Sequence, residues 1–226
     1  NTLSSAQVKS AILLAGLYAK GSTIVTERVP TRDHTERMLQ QFGVRVHTQN
    51  SQITLLPSPL ISPGVIQVPG DPSSAAYFVV AACCVPGSRV RLEQVGLNPT
   101  RTGFLTILGR MGARVSALAA PGAGEPSGSI TAETSQLKAT TVEPQEVPGV
   151  IDELPILMVA AACASGKSCF VGVGELRVKE TDRIHSMMKG LQQLGARIRL
   201  SGNDTVEIEG GPLQGSAVEA LGDHRT

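Results

Sequence analysis

One stretch of this chain concentrates charge. In Arg177-Val178-Lys179-Glu180-Thr181-Asp182-Arg183, four of the six residues after Arg177 are ionisable. If the chain is helical from about Lys179, Lys179 and Arg183 stand one turn apart on one face, with Glu180 beside Arg183 at i+3. Two cations, a carboxylate and the free N–H groups of a helix start suit an anionic ligand. The plainer reading is a solvated helix start held by intrahelical pairs. A second carboxylate of interest is Asp152, in Ile151-Asp152-Glu153-Leu154-Pro155 ahead of an apolar run. Its plain reading is a helix N-cap.

The elements that must position these groups belong to a chain of 226 residues, 41% hydrophobic and 17% charged, with net charge +1. That balance argues for a soluble globular protein with a real core. It offers neither the basic tract nor the aromatic–basic interleaving of a nucleic-acid binder. The four cysteines, Cys83, Cys84, Cys163 and Cys169, lack metal-ligand spacing and read as buried free thiols of a reducing compartment. The four histidines form no metal pair. No signal peptide is visible and no apolar run is long enough to span a bilayer, so no membrane role and a cytoplasmic location are expected. The absence of an initiating Met and the abrupt C-terminus suggest a fragment.

Read in order, the chain repeats itself. A helix from Ser5 to about Ala19, apolar nearly all round and so expected to be buried, precedes a strand over 22–29. An amphipathic helix from Pro30 towards Gly43 follows, then a hairpin of strands 44–48 and 52–56 about Asn50-Ser51. The second copy has a strand over 65–68 and an apolar helix capped at Gly70-Asp71-Pro72-Ser73-Ser74. It continues with a strand over 89–95, a helix ending at Met111-Gly112 and a strand from Ala113, and 119–129 reads as an exposed loop. The third has a strand near 137–142, an apolar helix ending at Ala164, a strand over 168–173, a helix from Lys179 to Leu194, and strands 196–200 and 205–209. A fourth copy begins at Ala217. The terminating glycines Gly43, Gly112 and Gly195 lie 69 and 83 residues apart. The unit is therefore about 70 residues of βαβαββ, too long for a solenoid and suited to layered α/β architecture. Helix starts at Ser5, Ser73-Ser74 and Asp152 recur, and if they converge they favour phosphate and carboxylate ligands. Gly166-Lys167-Ser168 follows a helix instead of opening one. It is no phosphate loop, and Gly172-Val173-Gly174 is no dinucleotide fingerprint.

With the repeat and the charged stretch together, the chain resembles the 5-enolpyruvylshikimate-3-phosphate (EPSP) synthase family. The words that carry the likeness are Ser5-Ala6-Gln7-Val8-Lys9-Ser10-Ala11, Thr31-Arg32-Asp33-His34-Thr35-Glu36, Gly70-Asp71-Pro72-Ser73-Ser74-Ala75, Asn98-Pro99-Thr100-Arg101, Ile151-Asp152-Glu153, Arg177 to Arg183 and Asp223-His224-Arg225. The first two look like a bacterial branch. The resemblance implies an α/β fold: two lobes, each an inside-out α/β barrel of three βαβαββ units, here incomplete. Residues 1–68 would be the last unit of one lobe and 69–226 most of the other. It implies transfer of the enolpyruvyl group of phosphoenolpyruvate to the 5-hydroxyl of shikimate 3-phosphate, with no metal or redox cofactor. It also implies a monomeric full-length enzyme and a fragment inactive alone.

Carried over residue by residue, the resemblance makes Asp152 the general base at the 5-hydroxyl and Glu180 the acid–base group at the methylene carbon. Lys179 becomes a catalytic and substrate-binding cation, and Arg183 and Arg225 the clamp on phosphoenolpyruvate. Gln7 touches both substrates. Ser5 and Ala6 start the helix that holds the shikimate phosphate, Ala6 through its N–H alone, and Arg32 is a second phosphate contact. Arg101 reads as a structural pair, while Asp71, Ser73 and Ser74 read as caps or as a lobe hinge. The rivals are a sister enolpyruvyl transferase acting on a UDP-sugar, a non-catalytic binding module and a purely structural repeat.

Overall fold

The computed structural model describes residues 5–122 and 124–226. The first copy of the repeat comprises α1 (Ala6–Gly16), β1 (Thr23–Thr26), α2 (His34–Gln41), β2 (Arg45–Gln49) and β3 (Gln52–Leu56). The second has α3 (Pro72–Cys84), β4 (Arg89–Gly96), α4 (Gly103–Arg110), β5 (Arg114–Ala119) and β6 (Ser127–Glu133). The third has β7 (Thr141–Val142), α5 (Leu154–Ala162), β8 (Lys167–Phe170), α6 (Arg183–Gln193), β9 (Arg197–Ser201) and β10 (Thr205–Glu209), with 3-10 turns at Val147–Gly149 and Gly174–Val178. The sheets run β1-β3-β2, β4-β6-β5 and β7-β8-β10-β9, so the last strand of every copy is central. Among the described residues no sheet closes into a barrel.

The repeat is recorded most exactly in how its second helices stop. Gly43, Gly112 and Gly195 take φ of 78°, 81° and 85°, the left-handed region that glycine enters without Cβ strain. In each case the following N–H reaches back five residues. Val44 donates to the Leu39 carbonyl, Ala113 to that of Leu108 and Ala196 to that of Leu191, all at 2.9 Å. Each glycine N–H donates to the carbonyl three residues earlier. This pair of bonds is the Schellman stop, which turns the chain from helix into the next strand. The hairpin of β2 and β3 turns on Asn50 and Ser51, both at positive φ.

The chain divides into two compact units, residues 1–69 with 120–127, and residues 70–119 with 128–226. The first has a small core of Leu13, Val25, Leu39, Val44, Val46, Ile53 and Leu55. The second has a much larger one, centred on α3, α4 and α5. α5 is buried at eight of nine positions, as an all-apolar helix should be.

Several expectations change. α1 is not buried all round: only Lys9, Leu13 and Gly16, a single stripe, are enclosed, while Val8, Ile12 and Leu14 stay exposed. The strand expected over 65–68 shrinks to one parallel bridge, Gly70 to Val95, and Val65 and Val68 lie in the open. The expected 119–129 loop is shorter: Ala119 ends β5, and 127–129 open strand β6, paired antiparallel with β5. Cys163 is exposed where a buried thiol was expected, although all four cysteines are free.

Candidate active site

α6 does not begin at Lys179. The segment 174–178 is a 3-10 turn, and Lys179 is extended at φ −82° and ψ −159°. Asp182 is the N-cap, its carboxylate accepting the His185 N–H at 3.0 Å while Arg177 Nη1 holds the other oxygen at 2.8 Å. An aspartate placed to cap wins over continuing the helix backwards through a charged run. Lys179 therefore does not stack one turn from Arg183; it pairs with Glu175. Asp152 is displaced too. The N-cap position of α5 falls on Glu153, and Asp152 lies half-buried in the preceding turn.

The centre is Arg183, the first residue of α6, with its side chain 2% exposed. Its Nε donates to Asp223 Oδ2 at 2.9 Å and its Nη2 to Asp223 Oδ1 at 3.2 Å, a two-point clasp. Nη2 also donates to Glu180. Nη1 lies 3.8 Å from Asp152 Oδ1, beyond hydrogen-bonding distance, and is a buried donor without a hydrogen bond. One buried guanidinium thus gathers Asp152, Glu180 and Asp223, and Nη1 is the donor left for an incoming acceptor.

Asp223 is fully enclosed and held from three sides. Thr181 Oγ1 donates to Oδ2, and the Arg225 N–H to Oδ1, both at 2.9 Å. Tyr77 Oη, from α3, donates to the Arg225 carbonyl at 2.8 Å. Burial pushes the Asp223 carboxyl up. The Arg183, Arg225 and Thr181 hydrogen bonds outweigh it and hold the carboxyl at about 2. Since that lies below an unfolded aspartate, the stabilisation is complete above about pH 4 and lost as pH falls towards 2, amounting to about 2 kcal/mol. Acid unfolding followed by circular dichroism is expected to begin at higher pH in Asp223→Asn, which lacks this titration.

A second polar cluster lies at the start of α3. The Asp71 carboxylate caps that helix, accepting the Ser73 and Ser74 N–H groups at 3.2 and 3.0 Å. Arg101 Nη2 donates to Asp71 Oδ1 at 3.0 Å and to Ser73 Oγ at 2.7 Å, and the Ser73 hydroxyl donates to buried Glu153. The capping reading of Asp71 and the pairing reading of Arg101 both hold.

The remaining candidates, Ser5, Ala6, Gln7 and Arg32, lie in the first compact unit. Ser5 caps α1, its hydroxyl accepting the Val8 N–H at 3.4 Å, and Ala6 and Gln7 open the helix. Arg32 is half-buried in the segment leading into α2. Sequence reasoning missed Asp223 and Thr181 as members of the Arg183 cluster. The Asp223-His224-Arg225 word was the available signal.

The EPSP synthase (3-phosphoshikimate 1-carboxyvinyltransferase) family model matches residues 1–226. The chain belongs to the EPSP synthase family. It is 49% identical over 224 residues to a 3-phosphoshikimate 1-carboxyvinyltransferase of Shouchella clausii, covering 99% of this chain and 52% of that relative. The Acidithiobacillus ferrooxidans relative is also 49% identical, over 225 residues. Among solved structures, EPSP synthase from Acinetobacter baumannii superposes with a TM-score of 0.92 at 45% identity, covering 99% of this chain and 52% of that one. The enolpyruvyl transferase NikO from Streptomyces tendae, at 18% identity and TM-score 0.66 over 88% of this chain and 45% of its own, shares the fold. The chain spans about half the length of the EPSP synthases it matches, and its fold is that part of the enolpyruvyl transferase fold. Among the described residues there is no cluster able to hold a metal ion and no helix long and apolar enough to cross a membrane.

Proposed function

We propose that the protein to which this chain belongs transfers the enolpyruvyl group of phosphoenolpyruvate to the 5-hydroxyl of shikimate 3-phosphate, releasing phosphate. The observation that carries this reading is the buried Arg183, which draws Asp152 and Glu180 to one guanidinium and keeps Nη1 free of hydrogen bonds. In this reading Asp152 takes the hydroxyl proton as oxygen adds to the central carbon of phosphoenolpyruvate. Glu180 delivers a proton to the methylene carbon and removes one when phosphate leaves. Arg183 and Arg225 clamp phosphoenolpyruvate, and Lys179 binds at the reacting groups, exchanging Glu175 for substrate. Ser5, the N–H of Ala6, Gln7 and Arg32 hold shikimate 3-phosphate. The domain reading, one lobe's last unit up to residue 68 and most of the second lobe from residue 69, goes with this proposal, as do a cytoplasmic, monomeric full-length enzyme and a fragment inactive alone.

Isothermal titration of shikimate 3-phosphate into the chain tests it, with Lys179→Ala and a UDP-sugar as controls. Saturable heat from shikimate 3-phosphate, absent in the variant and absent with the UDP-sugar, is the expected result. A response to the UDP-sugar alone would overturn the substrate assignment. Silence from both would show that these residues do not form a competent half-site by themselves.

A further inference from the structure

Asp152 sits on a tight turn ahead of α5, where the Glu153 and Leu154 N–H groups both donate to the Val150 carbonyl at 2.9 Å. Glu153 stands at the N-cap position, yet its side chain makes no cap bond. It turns to α3 instead and accepts the Ser73 hydroxyl, with Glu153 1% and Ser73 0% exposed. Arg101 Nη2 donates to the same Ser73 oxygen at 2.7 Å and is itself held by Asp71 at 3.0 Å. A hydroxyl has one proton, so an arginine donating on one side leaves the O–H aimed at the carboxylate on the other. The turn is also pressed from α4: a Cβ on Gly103, the first residue of that helix, would come within 2.7 Å of Val150 Cγ1. Tyr77 lies one turn along α3 from Ser73, on the same face. Its hydroxyl donates to the Arg225 carbonyl at 2.8 Å, and the Arg225 N–H donates to Asp223, the clasp of Arg183. One face of one helix therefore holds both the turn of Asp152 and the turn of Arg225.

We propose that α3 sets the gap between the base and the clamp: Ser73 and Glu153 are positioning residues for Asp152, and Tyr77 is the positioning residue for Arg225. The proposal rests on the roles given above to Asp152, Arg183 and Arg225. The two ends of the helix then carry different kinetic signatures. A base must stand within hydrogen-bond reach of the proton it takes, so its displacement slows the chemical step. A clamp holds the substrate before and during reaction alike, so its displacement weakens binding.

Release of phosphate from phosphoenolpyruvate and shikimate 3-phosphate is measured in the full-length protein that carries this chain. Ser73→Ala is expected to lower kcat about 10–100-fold while both KM values stay within about twofold. Tyr77→Phe is expected to raise the KM for phosphoenolpyruvate about tenfold while kcat holds. Two further variants separate position from stability. Glu153→Gln keeps an acceptor for the Ser73 hydroxyl and is expected to retain kcat within about threefold. The double variant Ser73→Ala, Glu153→Gln buries no unpaired carboxylate, so its thermal midpoint should exceed that of Ser73→Ala, while its kcat stays low because the rung is still missing. A kcat that follows the thermal midpoint across this set, instead of the rung, overturns the proposal. So does an active wild type whose kcat survives Ser73→Ala or whose KM survives Tyr77→Phe. A wild type without this turnover overturns the functional reading itself, and the proposal falls with it.

Discussion

Replacing Asp223 by alanine is expected to destabilise the second compact unit by about 3–5 kcal/mol. The Arg183 guanidinium, 2% exposed, is clasped at two points by a carboxylate that is itself fully enclosed. Removing the carboxylate leaves the cation with half-exposed Glu180 and, at 3.8 Å, Asp152. Neither replaces a bidentate partner, and the cost of an uncompensated buried charge exceeds the worth of the bond lost. The turn suffers too, because the Arg225 N–H and Thr181 hydroxyl lose their shared acceptor. Asp223→Asn keeps an acceptor and the volume, so it is expected to cost about half as much. The double variant Arg183→Met, Asp223→Leu removes both charges and is expected to recover most of the loss. Urea unfolding of the four proteins measures this. If Asp223→Ala shifts stability by less than about 1 kcal/mol, the scale of an exposed pair, the clasp is not what holds this corner.

How much of this was legible in the sequence depended on range. The three helix stops were visible because a Schellman glycine is a local device, and so was the Asp71 cap. The Arg177–Arg183 word was visible as charge but not as shape. A helix pattern read backwards from α6 swallowed Lys179 and Glu180, whereas Asp182, three residues before His185, was the better start signal. β6 was missed because Ser127-Gly128-Ser129-Ile130-Thr131-Ala132-Glu133 is small and polar, yet the repeat itself demanded a central strand there, as β3 and β10 supply in their copies. The partner of Arg183 lies 40 residues away. No period or propensity pairs residues at that distance; only the fold does. The exposed faces of α1 follow the same logic. Hydropathy says a helix can be buried, and what actually covers it is set by its neighbours.

Lys9→Met is expected to cost the first compact unit about 3–5 kcal/mol at neutral pH, a large loss for a unit whose core is seven residues. Lys9 sits on the one buried stripe of α1, 1% exposed, where a lysine is tolerated only if its ammonium is paired. It is paired twice, with Glu36 Oε1 at 2.7 Å from α2 and with Glu27 Oε2 at 3.2 Å from the end of β1. The Thr31 hydroxyl also donates to Glu27. One ammonium is thus shared by two buried carboxylates, and Glu36 Oε2 already lacks a hydrogen bond. Methionine fills the stem's volume, so packing is kept and the loss is electrostatic: two like charges remain in a dry pocket. Adding Glu27→Gln and Glu36→Gln should recover much of it at neutral pH. A packing defect behaves otherwise, because neutral glutamines leave the lost contacts as they were. Thermal unfolding of Lys9→Met and of the triple variant therefore separates a charge triad from a merely crowded lysine, and a deficit unchanged by the two glutamines rejects the triad.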